Sequence, residues 1–112
     1  MVRIKRVYDE PAAGDGKRIL VDRLWPRGIA REKARIDEWL KEIAPSDELR
    51  KWFGHDPARW DEFRERYRQE LEAKAEILDH LRSMAKKGTV TLLFAARDEE
   101  HNNAVALREM LD

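Results

Sequence analysis

The chain contains no cysteine. Disulfides, thiolate metal sites and a cysteine nucleophile are thereby excluded. It also lacks net charge, because 23 Lys and Arg residues balance 23 Asp and Glu residues. There is no whole-protein field to attract nucleic acid, and any basic site must come from local clustering. No apolar run approaches the roughly 18 residues of a membrane-spanning helix. Met1 to Arg6 has no apolar signal-peptide core, so no membrane partner is expected and the expected location is the cytoplasm. A Gly-rich phosphate loop, a nucleophile elbow and zinc-type spacing are all missing. Covalent catalysis therefore has no support, and no cofactor is expected. None of His55, His80 and His101 has a histidine partner at ligand spacing, so no metal site is expected either.

What is present is 112 residues, of which 41% are charged and 42% apolar. That suits one domain, residues 1–112, with a single modest core under an ionic surface. Val2 to Tyr8 alternates as a strand does. Asp9 to Gly16 carries Pro11, Gly14, Asp15 and Gly16 and reads as a loop. Lys17 to Leu24 reads as a second strand, closed by Trp25-Pro26-Arg27-Gly28, where Pro26 biases Trp25 away from helix. Ala30 to Arg35 suits a short helix. Ile36 to Ala44 is ambiguous: Ile36, Trp39, Leu40 and Ile43 fit a helical face, whereas Trp39, Lys41 and Ile43 fit alternation.

Ser46, followed by Asp47 and Glu48, marks a helix start, with an end near Gly54. Asp56-Pro57 marks another. From there to Lys87 neither Gly nor Pro occurs, and apolar residues recur at helical spacing, so one long helix near 57–87 is expected. At 1.5 Å per residue it would reach roughly 45 Å, long enough to kink or to offer a surface to a second subunit. Thr89 to Ala96 is a continuous apolar run and reads as a buried parallel strand. Asp98 then caps a final helix with Ala104, Leu107 and Leu111 facing inward.

In a parallel sheet the site lies outside the carboxyl ends of the strands. That draws attention to Tyr8, Asp22, Arg23 and Arg27, to Lys41 and Ser46, to Arg50 at the next helix, and to Asn102 and Asn103. Arg23 and Arg27 are the leading pair, since guanidinium groups match phosphate or carboxylate oxygens bidentately. The plainer alternative is that they pair with Asp9, Asp22 or Asp37 and only tie loops together. Asp22, beside arginines, should have a depressed pKa and make a poor base near neutrality. Ser46 could hold an anion with free backbone N–H groups or serve as an ordinary cap. His55, in a Gly-His-Asp-Pro turn, is a candidate for proton transfer.

The combination of Arg6-Val7-Tyr8-Asp9, Leu20 to Gly28, Trp39 with Lys41, Ala44-Pro45-Ser46, Leu49-Arg50 and Trp52-Phe53 with His55 resembles the YeaO-like proteins. So do Trp60 with Phe63 and Tyr67, and Thr91-Leu92-Leu93 leading to Ala95-Ala96. That bacterial and archaeal family has no assigned function. The chain is more distantly similar to a wider group of small α/β domains. There a Val-Asp-x-Arg strand exit accompanies a late Cys-x-Glu strand and a Cys-His-Arg sequence. The corresponding segments here, Phe94 to Asp98 and Asn102-Asn103, hold neither the cysteines nor the His-Arg pair, so thiol chemistry does not carry over. Alignment with that group favours a strand for Ile36 to Ile43.

The expectation is a small three-layer α/β domain with a largely parallel sheet of about four strands flanked by helices. Its expected role is to bind a small phosphate- or carboxylate-bearing ligand through Arg23, Arg27, Lys41, Arg50, Ser46 and Tyr8. Asp22 and His55 are the catalytic candidates should a reaction occur, which the residues leave open. The chain is expected to be a monomer or a homodimer. The alternative is a nucleic-acid or protein-interaction module, using Arg3, Lys5, Arg6, Lys17 and Arg18 as a basic patch and the long helix as a dimer surface.

Overall fold

The computed structural model describes residues 1–111. Strands β1 (Val2–Arg6), β2 (Lys17–Leu20), β3 (Glu38–Trp39) and β4 (Val90–Phe94) form one sheet in the order β1-β4-β2-β3. Every pairing is parallel, with Val2 opposite Val90, Lys17 opposite Val90 and Ile19 opposite Glu38. β4 lies inside the sheet and all five of its residues are buried, as its unbroken apolar run requires of a strand covered on both faces.

Alternation sorts the strand residues between two layers. Ile19, Val21, Leu92 and Phe94 meet a large core built with helices α2 (Asp47–Phe53), α3 (Trp60–Glu72), α4 (Ala75–Lys87) and α5 (Asn103–Leu111). Leu20 and Leu93 face the other way, against Val7, Trp25, Ile29, Ile36 and Trp39, where the short helix α1 (Arg31–Ala34) adds a thin cover. At the amino end of this second face the contacts are ionic. The buried Arg18 guanidinium donates to Asp15 Oδ2 at 2.6 Å and to the Ala34 carbonyl at 2.9 Å. Lys5 reaches the same carboxylate at 3.2 Å, and Thr91 donates to the Asp15 carbonyl. Burial pushes the Asp15 carboxyl up, but the Ala12 N–H, Lys5 and Arg18 outweigh it and hold it below its ordinary value. Gly16 makes this turn possible: its φ is +64°, and a Cβ there would lie 2.1 Å from the Thr89 carbonyl oxygen.

Four expectations about element boundaries need correction, the last of them the cap of α5. β2 ends at Leu20 and not at Leu24. The Asp22 carboxylate accepts from the Ala95 N–H at 2.9 Å, and Trp39 Nε1 donates to the Asp22 carbonyl at 2.7 Å, so backbone groups that would extend the ladder are consumed. The ambiguous Ile36 to Ile43 segment is a two-residue strand followed by a 3₁₀ turn over Lys41–Ile43, so both periodicities are present in succession. The helical stretch near 57–87 runs from a 3₁₀ turn at Pro57–Arg59 through α3, then breaks before α4. Ala73 and Lys74 bond back three residues, to Glu70 and Leu71, and Lys74 leaves helical geometry with φ −122° and ψ 36°. An unbroken helix of about 45 Å would overrun the molecule's longest Cα extent, 35 Å. The break returns Leu78 and Leu81 to the same core as Phe63, Tyr67 and Leu71.

The start of α2 is as the sequence indicates. Ser46 Oγ accepts from Leu49 N at 3.1 Å, and Gly54 closes the helix at φ +53°. Asp98 is not the cap of α5. It accepts from the N–H groups of Glu100 and His101 in a preceding turn, and Asn102 Oδ1 takes the Val105 N–H in the helix's first turn.

Candidate functional site

A cleft of about 340 Å³ opens where β1, β2 and β4 end. The residues after each strand build it, as the position of sites in parallel sheets leads one to expect. Asp22, Arg23, Trp25 and Arg27 come from the turn after β2, Tyr8 follows β1, and Ala95 and Ala96 follow β4. Arg50 and His55 come from α2 and the turn beyond it. Phe53 and Phe63, whose rings stack at 4.3 Å between centroids, form part of the apolar wall.

The arginines are held in different ways. Arg23 makes long contacts, at 3.4 Å, to the Ala44 and Pro45 carbonyls and lies 3.8 Å from Asp47. Arg50 lies 3.4 Å from the same Asp47 carboxylate, which is itself largely exposed and therefore a weak, screened partner. Arg27 is exposed, and among the described residues its guanidinium has no carboxylate within ion-pair distance. Its backbone carbonyl accepts from the Tyr8 hydroxyl at 3.0 Å, which ties the turn after β2 to the end of β1. Neither arginine of the leading pair is bound to Asp9, Asp22 or Asp37. Arg6 donates to the Ala95 and Ala96 carbonyls at 3.3 and 2.9 Å and lies over the Tyr8 ring, fixing the exit of β4.

Asp22 sits half-buried in the lining. Its two oxygens accept from the Ala95 N–H and from Asn103 Nδ2 at 3.0 Å. Burial raises its pKa above the ordinary value, against the lowering effects of Asn103, the Ala95 N–H and the His55 charge. The depressed pKa expected from neighbouring arginines is therefore reversed: no arginine bonds the carboxylate, and desolvation wins. His55 is exposed with φ +56°, a left-handed conformation shared with Gly54 before it.

Of the eight candidate site residues, Tyr8, Asp22, Arg23, Arg27, Arg50 and His55 line this one cleft. Lys41 and Ser46 do not. The Lys41 ammonium lies over the Trp39 ring at 5.2 Å. Ser46 caps α2 and donates its hydroxyl to Glu70 Oε2 at 2.6 Å, while Glu70 Oε1 takes the Ser46 N–H. Four of the five basic-patch residues are engaged within the fold: Arg18 is buried on Asp15, Lys5 joins it, Arg6 holds β4, and Arg3 donates to the Gly14 carbonyl. Sequence reasoning passed over the apolar wall; Asn103, which it did single out, lines the cleft and also donates to the Val21 carbonyl. The doublet Asn102-Asn103 after a buried strand was the available signal. Among the described residues no three His, Asp or Glu side chains are grouped to hold a metal ion, and no helix is long and apolar enough to cross a membrane.

A family model described as "Inactive DUF488-N3 subclade" matches residues 1–112. The chain belongs to that family, DUF488-N3i. It is also 46% identical over 110 residues to the uncharacterised protein YeaO of Escherichia coli (strain K12), covering 98% of this chain and 96% of the relative. It is 41% identical over 111 residues to an uncharacterised protein of Mycobacterium tuberculosis (strain ATCC 25618 / H37Rv), covering 99% and 93%. The resemblance carried by the motifs from Arg6 to Ala96 is thus borne out across the whole length of a DUF488-N3i chain. No solved structure matches it.

Proposed function

We propose that this protein is a cytoplasmic binder of a small organic molecule bearing a phosphate or carboxylate, held in the cleft at the carboxyl ends of β1, β2 and β4. One observation carries the reading: Arg23, Arg27 and Arg50 line a single cleft in which Asp22, the one carboxylate among the described lining residues, already accepts from Ala95 N–H and Asn103. Arg23 and Arg50 have only the exposed Asp47 carboxylate between them, and the Arg27 fork is left free to meet two anion oxygens. Tyr8 and His55 supply further polar contacts. Lys41 and Ser46 lie outside the cleft and take no part. The word "Inactive" in the family's description, with the missing thiols, supports binding as the primary role. Any proton transfer would fall to Asp22 and His55, which share the cleft.

The test is titration calorimetry of the full chain against phosphate- and carboxylate-bearing small molecules. Arg27→Gln should weaken binding about tenfold or more, the worth of one charge-assisted hydrogen bond, while leaving the melting temperature unchanged. Equal affinity of the variant, or no binding across the panel, would overturn the proposal.

A further inference from the structure

We infer that the ligand is not a bare anion but an anionic group joined to a flat apolar body, an aryl phosphate or aryl carboxylate in chemical class. This rests on the reading of the cleft as an anion site and narrows it. The argument starts from exposure. Among the described residues the large hydrophobic side chains left exposed are Met1, Tyr8 and Leu24, at 68%, 44% and 63%. Met1 is terminal. Tyr8 and Leu24 both line the cleft, so two of these three exposed side chains meet at one mouth. Scattered exposed apolar residues carry no message, but a cluster rimmed by charge marks a binding surface.

The interior repeats the pattern. Phe53 and Phe63 belong to the buried core and present ring surface to the cleft. Ala95 and Ala96 leave β4 with side chains of a single carbon, so the space over the strand exit stays open, and Arg6 fixes both carbonyls. Space of 340 Å³ corresponds to about ten waters at roughly 30 Å³ each. A phosphate ion would fill a small part of it and leave the apolar wall wet. A ring placed against that wall, with its anion on the arginines, satisfies both halves of the lining.

The discriminating measurement uses matched pairs on the full chain: inorganic phosphate against phenyl phosphate, acetate against benzoate, with neutral benzyl alcohol as the apolar body alone. In at least one pair the aryl member should bind about tenfold or more tighter, the factor for roughly 55 Å² of apolar area removed from water. Benzyl alcohol should bind more weakly than that aryl anion. Leu24→Ser, at an exposed position, should weaken the aryl anion about fivefold and leave its small partner unchanged. Ala96→Leu, which fills the space, should also weaken the aryl member selectively. Equal affinities within both pairs would overturn this inference and leave the anion site standing. Benzyl alcohol binding as tightly as the aryl anions, or no anion binding at all, would overturn the anion site and this inference with it.

Discussion

Replacing Asp15 by asparagine tests the ionic half of the second face. The side chain is 7% exposed and its carboxylate holds two cations, Arg18 at 2.6 Å and Lys5 at 3.2 Å. The amide keeps the shape and removes the charge, so the buried guanidinium and the half-buried ammonium would face each other without a counterion. Removing one partner of a buried pair costs about 3–5 kcal/mol. The lower figure applies here, because Lys5 can swing toward solvent and the Ala34 and Arg35 carbonyls still accept from Arg18. In urea, with a slope of about 1.5 kcal/mol per molar, a loss of about 3 kcal/mol lowers the midpoint by about 2 M. The pH dependence has a definite sign. The folded-state pKa of Asp15 is lowered, so its contribution is fully present above the unfolded value of roughly 3.9 and is lost as pH falls through the lower folded value. The gap between native protein and Asp15→Asn should therefore narrow below about pH 4. A gap under about 1 kcal/mol at pH 7, or one that does not narrow on acidification, would refute the assignment of this pair as a net stabilising contact.

Two further substitutions probe the backbone. Gly16→Ala combines a left-handed φ with a Cβ placed 2.1 Å from the Thr89 oxygen. It should cost at least about 3 kcal/mol in urea unfolding, and a near-neutral result would mean that the turn can move away from β4. His55→Gly relieves a left-handed conformation worth about 1 kcal/mol and should raise the melting temperature by about 4 °C. A lower melting temperature would show that the imidazole stabilises the turn by more than its strain.

The sequence was most legible where one physical signal dominated. Thr89 to Phe94 had no charged residue and was rich in strand formers, which reads as an inner strand. Ser46 and Gly54 bounded α2 because a hydroxyl cap and a left-handed closure have few substitutes. The break at Ala73–Lys74 left no mark, since both residues are good helix formers. Tertiary packing imposes it by turning Leu78 and Leu81 back to the core. The early end of β2 was hidden for a related reason: Asp22 terminates the ladder by bonding Ala95, 73 residues away. At the site, residues directly following strands could be placed together from topology alone, which is why Tyr8, Arg23 and Arg27 meet. Lys41 and Ser46 follow β3, a strand of two residues at the sheet edge, and the 3₁₀ turn after it directs them away from the cleft. The reversed pKa of Asp22 was out of reach, because burial is a property of the packed chain.

The placement of β4 also sets the order in which the molecule can form. Its two neighbours, β1 and β2, do not pair with each other, and Val2 waits for Val90, 88 residues further along. At synthesis rates of about 5–20 residues per second, β1 spends on the order of ten seconds without a partner, whereas β2 has β3 to pair with in the meantime. Completion of the sheet is thus confined to the moments after the last quarter of the chain emerges. Closing such long loops makes folding slow relative to chains dominated by local contacts. The charges of Arg3, Lys5 and Lys17 then have a second use, since they keep the waiting strands from pairing with other chains until β4 arrives.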